Sequence, residues 1–375
     1  MKLGEVAHFS GGGTPSSEYS SYWEGTIPWI SSSDIQKNNV TQINVTRFIT
    51  KEALQHSSTK LCKAPCVLVV SRVGVGKVAY SDIDICTSQD FCILTDIQCE
   101  YHFLSYYLLT VMEKKVREVQ GTSIKGITVQ EVKSFPLRLP SLPEQRKIAA
   151  LLSLIDERIE VQNAISNDLE SLIVGFYNSV QYVTKAGWHK VRLRDLLTIR
   201  EEQNTSGSYE VYSVSVSRGI VNQIVHLGRS FAAANTSNYG VVHPGDLVYT
   251  KSPTGQFPFG IVKQNHNASP VAVSPLYGVY RPISPEVGTL LHYFFLSPLR
   301  ANNYLAPLIQ KGAKNTINIR TDHFLDNVVL LPKDEKELRC IADCLLALDE
   351  RLSVEREYAE QLKQQKAYLL RQIFI

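Results

Sequence analysis

Residues 148–158 read IAALLSLIDER, and residues 341–351 read IADCLLALDER. Ile148-Ala149 is answered by Ile341-Ala342, Leu152 by Leu345, and Asp156-Glu157-Arg158 by Asp349-Glu350-Arg351, each at an offset of 193. The agreement continues upstream. Leu137-Arg138-Leu139-Pro140 is answered by Val329-Leu330-Leu331-Pro332. Lys2-Leu3-Gly4-Glu5-Val6 is answered by Arg192-Leu193-Arg194-Asp195-Leu196 at an offset of 190. The chain is therefore written roughly twice, as globular segment, long helix, globular segment, long helix.

Both helical segments carry a heptad. Ile148, Ile155, Gln162, Leu169 and Phe176 form one register of the first, with Leu152, Ile159, Ser166 and Ile173 as its companion. The second repeats this with Ile341, Leu348, Glu355, Leu362 and Leu369, beside Leu345, Leu352, Ala359, Lys366 and Ile373. Spacings of three and four place these residues on one narrow stripe. A helix of about 30 residues, roughly 45 Å, needs a partner along such a stripe. The other helix fits best, because Gln162 and Glu355 interrupt both stripes at equivalent places and would meet in an antiparallel pair. The expected core of that coiled coil is Ile148, Leu152, Ile155, Ile159, Leu169, Ile173, Ile341, Leu345, Leu348, Leu352, Leu362 and Leu369. The competing reading packs each helix on its own globular segment. Pro143 and the acidic pair Asp334-Glu335 suit helix starts.

The expected division is residues 1–143, globular; 144–185, helix; 186–333, globular; and 334–375, helix. Short apolar runs such as Cys66-Val67-Leu68-Val69-Val70, Asp246-Leu247-Val248-Tyr249 and Val271-Ala272-Val273 alternate with Gly, Pro and Ser-rich turns and read as strands. Helices follow at His102 to Val119 and at Leu290 to Tyr304. The fold class is α+β: two similar globular domains, each a mixed or antiparallel sheet plus helices, separated by two long antiparallel helices in a coiled coil.

At 375 residues the chain is too long for one core. With 44% hydrophobic and 20% charged residues it is ordinary globular material. It has no apolar run long enough to span a membrane, and its opening, MKLGEVAHFSGGG, lacks an apolar signal core, so a cytoplasmic location is expected. The net charge of +3 is unevenly spread. Residues 186–333 hold 14 basic and 8 acidic residues, residues 1–143 hold 14 and 13, and both helical segments are slightly acidic. That suits globular domains that touch phosphate and helices that touch protein.

Catalytic constellations are not found. Val73-Gly74-Val75-Gly76-Lys77 lacks the spacing of a phosphate loop and reads as a tight turn between strands, with Arg72 and Lys77 exposed at its flanks. Cys62, Cys66, Cys86, Cys92, Cys99, Cys340 and Cys344 lack zinc-site spacing and read as buried free thiols. No catalytic, cofactor-binding or metal residue is assigned, and binding is the default role.

Four stretches carry a family resemblance, three of them Ser10-Gly11-Gly12-Gly13-Thr14-Pro15; Ile27-Pro28-Trp29-Ile30-Ser31 with Asp34-Ile35; and Ser71 to Lys77. The most specific is Leu137 to Ala149, containing Pro140-Ser141-Leu142-Pro143-Glu144-Gln145, which leads into Leu154-Ile155-Asp156. With these motifs the chain resembles the specificity subunits of type I restriction–modification systems. The second half departs from the pattern. Pro332-Lys333-Asp334-Glu335-Lys336-Glu337 replaces the Pro and Gln motif, and the Gly-Gly-Thr-Pro opening has no copy near residue 200.

The resemblance implies that each globular segment is a target recognition domain reading one half of a split, asymmetric double-stranded DNA target. It implies helices that act as spacer and docking surface, and partners comprising two methylation subunits and the restriction and translocation subunits. S-adenosylmethionine would be bound by the methylation subunits, which methylate adenine, and this chain would be non-catalytic. The alternatives are a two-lobed interaction scaffold without DNA contact and, third, an enzyme. Candidate DNA contacts in the first domain are Arg72, Lys77, Ser88, Gln89 and Lys125. Gln89 can read adenine bidentately, Arg72 can read guanine, and Lys77 and Lys125 suit phosphates. In the second they are Arg218, Lys251, Lys263, Lys311, Lys314 and Arg320, with Asn315 as a base reader. Trp29 is expected in the core.

Overall fold

The structure is a computed structural model of the 375-residue chain. It describes all residues except 119–125, 184–186, 225–234, 312–316 and 375, together with the backbone but not the side chains of 182, 183, 310, 311, 317 and 318. Two compact units emerge, Met1–Ala164 with Arg356–Ile375, and Ile165–Glu355. Each long helix is therefore shared between both units.

The first unit contains β1 (His8–Gly11), β2 (Ile27–Ile30), β3 (Arg47–Ile49), α1 (Lys51–Gln55), β4 (Leu61–Cys62), β5 (Cys66–Val70), β6 (Val78–Ser81), β7 (Ile85–Thr87), β8 (Phe91–Thr95), α2 (Tyr101–Glu118) and α3 (Val129–Lys133). One sheet has the order β1-β8-β5-β6 and is antiparallel throughout. The other, β3-β2-β7-β4, is mixed, because β2 and β7 run parallel. β5 is buried at every position, since both of its faces are covered. Val67 and Val69 join Leu104, Leu108 and Met112 of α2 in one core. Leu68 and Val70 join Ile30 and Ile85 of the second sheet in another. Each such fully buried aliphatic side chain contributes about 1.5–3 kcal/mol.

α4 (Leu142–Val183) starts where the motif predicts. Glu144 accepts from the Ser141 backbone N–H (2.9 Å) and hydroxyl (2.6 Å), one half of a capping box. The same two bonds hold the Glu144 carboxyl below its usual range. Buried Gln145 accepts from the Glu100 N–H (3.0 Å) and donates to the Pro140 carbonyl (2.8 Å). The Pro and Gln motif thus ties the start of α4 to the start of α2.

The second unit contains β9 (Trp188–Arg192), β10 (Leu197–Ile199), β11 (Tyr212–Ser215), β12 (Gly219–Asn222), β13 (Gly240–Val242), β14 (Leu247–Thr250), β15 (Ile261–Gln264), β16 (Val271–Val273), β17 (Gly278–Pro282), α5 (Pro285–Leu296), α6 (Pro298–Leu305), β18 (Gln310–Lys311), β19 (Ile317–Asn318), β20 (Val328–Pro332) and α7 (Glu335–Ile373). Its main sheet, β10-β17-β14-β15, repeats the strand order and the antiparallel sense of β1-β8-β5-β6. Leu247 and Tyr249 face the core that holds Leu290, Leu291 and Phe295 of α5. Val248 and Val279 face Val242, Val271 and Val273. The stretch from Leu290 to Tyr304, expected as one helix, is two. Pro298 has no N–H to continue the ladder, and the Ser297 hydroxyl accepts from Arg300 N to start α6.

In the first unit, α4 and α7 lie antiparallel. Ile155 and Ile159 pack on Leu362, with Leu369 against them. Leu152 shares a core with Leu370 and is flanked by Ile148. Asp156 meets Lys366 at 2.5 Å, with side-chain exposures of 2% and 5%. The Tyr106 hydroxyl donates to Asp156 (2.8 Å), and Lys366 also donates to the Asn38 carbonyl (2.8 Å). Burial pushes Lys366 down and Asp156 up, and their mutual attraction opposes both shifts. In the second unit, Ile173, Ile341, Leu345 and Leu352 are in the main core, with Leu169 and Leu348 packed against it. All twelve expected helix-pair residues are therefore buried or partly buried. Gln162 and Glu355 are buried too.

Candidate nucleic-acid interface

In the first unit, Val70 pairs with Phe91, and Gly11 with Cys92. The 71–77 turn, the 88–90 turn and the 12–14 loop therefore leave the main sheet at one end. Backbone bonds hold them together: Ser71 N to Asp90 O (2.8 Å), Gly13 N to Thr87 O (2.9 Å), and Ile127 N to Ser71 O (2.7 Å). Ser88 N to Ile30 O (2.8 Å) adds the 31–34 segment from the second sheet. The 71–77 turn is tight because Gly74 and Gly76 adopt φ of 81° and 103°, where side-chain-bearing residues are strained.

On this face Arg72 is exposed and pairs with none of the described residues. Gln89 is exposed at the apex of its turn, and its Oε1 accepts from the Thr14 hydroxyl (2.6 Å). Two expectations need correction here. Lys77 is half-buried and its ammonium donates to the Ser32 carbonyl (2.8 Å), so it is committed to the fold. Ser88 is buried, and its hydroxyl braces the turn by donating to Asp90 (3.0 Å). Lys125 lies outside the described residues.

Arg47 of β3 is a cation that the sequence reading passed over. It donates to the Ser31 hydroxyl (2.7 Å), pairs with Asp34, and lies 4.6 Å from the ring centre of Trp29. Trp29 is in the core as expected, 3% exposed, and donates to the Gly13 carbonyl (3.0 Å). Arg47 stands in a three-residue strand with no charge cluster around it, so no pattern signalled it.

In the second unit, Tyr249 pairs with Gly278, and β14 runs out into the 251–260 turn, the counterpart of 71–77. Lys251 opens that turn. It is half-buried, and desolvation lowers its pKa. Lys263 is a correction: it sits in β15 with 6% exposure and an interaction inside the fold, where both sheet faces are covered, so it does not reach a phosphate. Arg218 is exposed in the turn joining β11 and β12. Arg320 is exposed but forms a two-point pair with Asp322 (3.2 and 3.0 Å). The Lys311 side chain, Lys314 and Asn315 lie outside the described residues. Arg200, beyond β10, is held by buried Asp246 (2.6 and 3.1 Å) and serves the fold.

The cysteines divide. Cys62, Cys66, Cys86 and Cys92 are buried, and burial pushes Cys62, Cys66 and Cys92 up to about 12. Cys340 and Cys344 are exposed on α7, against expectation, because they fall outside its apolar stripe. Among the described residues no group of His, Cys, Asp and Glu could hold a metal ion. No described helix is long and apolar enough to cross a membrane.

A family profile described as the type I restriction modification DNA specificity domain matches residues 1–171. The MjaIX type I restriction enzyme specificity subunit of Methanocaldococcus jannaschii is 27% identical over 228 residues, 54% of this chain and 52% of that protein. The EcoR124I/EcoR124II specificity subunit of Escherichia coli is 30% identical over 164 residues, 41% of this chain and 40% of that protein. The first 171 residues therefore resemble the specificity domain of type I systems, and the chain is similar over part of its length to type I specificity subunits. It spans about half the length, or less, of these two curated relatives. The fold agrees along the whole chain with that of the type I system S subunit from M. genitalium, at a TM-score of 0.61 and 15% identity, covering 100% of this chain and 95% of that one.

Proposed function

We propose that this chain is a specificity subunit and reads a bipartite, asymmetric double-stranded DNA target, one half-site per globular segment. It directs adenine methylation and restriction by partner subunits and is itself non-catalytic. The supporting observation is one strand order built twice, with different residues on the turns at the same sheet end: Arg72 and Gln89 in one repeat, Lys251 in the other. Equal scaffolds with unequal turns suit unequal half-sites, because base identity is read by individual side chains presented to the groove. The excess of basic residues in 186–333 suits a polyanion.

The long helices serve as spacer and docking surface. Leu151, Leu154 and Val161 lie exposed on α4 in the first unit, outside the stripe that meets α7. They suit burial by a methylation subunit. Two methylation subunits would carry S-adenosylmethionine, the restriction and translocation subunits would join them, and the assembly would act on DNA in the cytoplasm. Two sites on one rod bind as a bivalent ligand, so half-site spacing becomes part of specificity.

The test is exchange of residues 1–143 for the same segment of another specificity subunit, with methylated adenines mapped across a genome. One half of the recognised sequence should change and the other should persist. A change in both halves together would refute the modular reading.

A further inference from the structure

The Gly12-Gly13-Thr14 loop is pinned against the turn that presents Gln89. A Cβ on Gly12 would come within 2.2 Å of Ser88 O and Thr87 Oγ1, and one on Gly13 within 2.3 Å of Ser58 O. Only glycine permits that approach. The loop is also held by Gly13 N to Thr87 O (2.9 Å) and by the Trp29 indole N–H on Gly13 O (3.0 Å). The Gln89 turn is equally fixed, since Ser88 Oγ donates to Asp90 Oδ2 (3.0 Å) and accepts from Asp90 N (3.3 Å). Between these two rigid segments the Thr14 hydroxyl donates to Gln89 Oε1 at 2.6 Å. Thr14 and Gln89 are both exposed, so the remainder of the amide faces solvent.

We infer that Thr14 is a positioning residue that holds Gln89 for reading adenine. This rests on the DNA-reading function proposed above. A glutamine reads adenine with both ends of its amide, the oxygen accepting from N6 and the nitrogen donating to N7. Here the Thr14 hydroxyl takes one lone pair of the oxygen, and the second lone pair and both N–H groups of Nε2 remain for a base. An amide tethered at one atom has fewer orientations to lose on binding, so the tether sharpens the adenine reading.

The test uses the full chain assembled with its partner subunits, and duplex libraries randomised across one half-site at a time. Wild type should select adenine at one position of one half-site. Gln89→Ala should lose about tenfold of that discrimination. Thr14→Val should lose part of it at the same position while leaving affinity for unrelated DNA and the salt dependence unchanged. Thr14→Ser, which keeps the hydroxyl, should restore the wild-type preference. The inference is overturned if the Gln89-dependent position selects a base other than adenine in wild type, if no position responds to Gln89→Ala, or if Thr14→Val reads as wild type. A wild-type complex with no sequence preference at all would instead overturn the DNA-reading function itself.

Discussion

The two repeats use the same pair of residues under their main sheets and finish the arrangement differently. In the first, Tyr106 donates to Asp156, and Lys366 completes a buried ion pair. In the second, the counterpart Tyr293 donates instead to the Leu345 carbonyl (3.3 Å), and half-buried Asp349 adds to burial in raising the tyrosine's pKa. The residue standing where Lys366 stands, one repeat earlier, is Ile173, buried in the second unit's apolar core. The duplicated scaffold keeps a tyrosine near an aspartate in both copies, but joins them directly and adds the lysine only where α7 returns to the first unit. A buried carboxylate beside a buried lysine is costly to separate and cheap to leave intact, so the pair fixes which helix segment belongs there.

The largest expected effect tests that difference. Lys366→Met leaves Asp156 buried without its cation and should cost the first unit about 3–5 kcal/mol, read from the urea midpoint. Replacing both partners, Asp156→Leu with Lys366→Met, should recover most of the loss. Asp349→Asn in the second repeat, where the carboxylate is half-buried and in no ion pair among the described residues, should cost about 1 kcal/mol or less. Equal losses in the two repeats would erase the contrast.

A second, smaller effect separates the repeats by pH. His292 is buried in the second unit, and its Nδ1 accepts from Gln264 N (3.0 Å), which requires the neutral ring. Burial first, then His266 and Lys263, hold its pKa well below 6.5. The unfolded chain therefore binds the extra proton first, so this contribution to stability is present above pH 6.5 and is lost as pH falls below it. The slope should approach about 1.4 kcal/mol per pH unit. Melting of His292→Asn, which keeps an acceptor without the titration, should show a flatter acid limb; an unchanged limb would assign the acid sensitivity elsewhere.

The smallest effects lie on the two turns. Arg72→Ala should lose about tenfold of discrimination at one base pair of the first half-site. Lys251→Ala should weaken binding to all DNA by a lesser factor and reduce the salt slope by about one. Reversed outcomes would exchange their roles as base reader and phosphate holder.

Much of the architecture was readable before any coordinates. The heptad registers placed Leu152, Ile155, Ile341 and Leu345 on the buried stripe, because helical period and apolar chemistry determine a face without reference to the partner. Strands such as Cys66–Val70 were equally legible. Lys263 was misjudged because a basic residue in an apolar run carries no mark of whether both sheet faces are covered. Arg47 was missed because its partners, Ser31, Asp34 and Trp29, arrive from another strand. Lys77 looked like a free cation until the Ser32 carbonyl was found beside it.

By itself the sequence determined the duplication, the two long helices, the strand-rich segments and the family resemblance, since these depend on period, composition and local motif. Only the tertiary structure decided that each helix serves both compact units, that Lys366 meets Asp156, and that Thr14 holds the oxygen of Gln89. Those contacts join residues 210 and 75 positions apart. Their partners are chosen by how the sheets and helices close on one another, which no local pattern encodes.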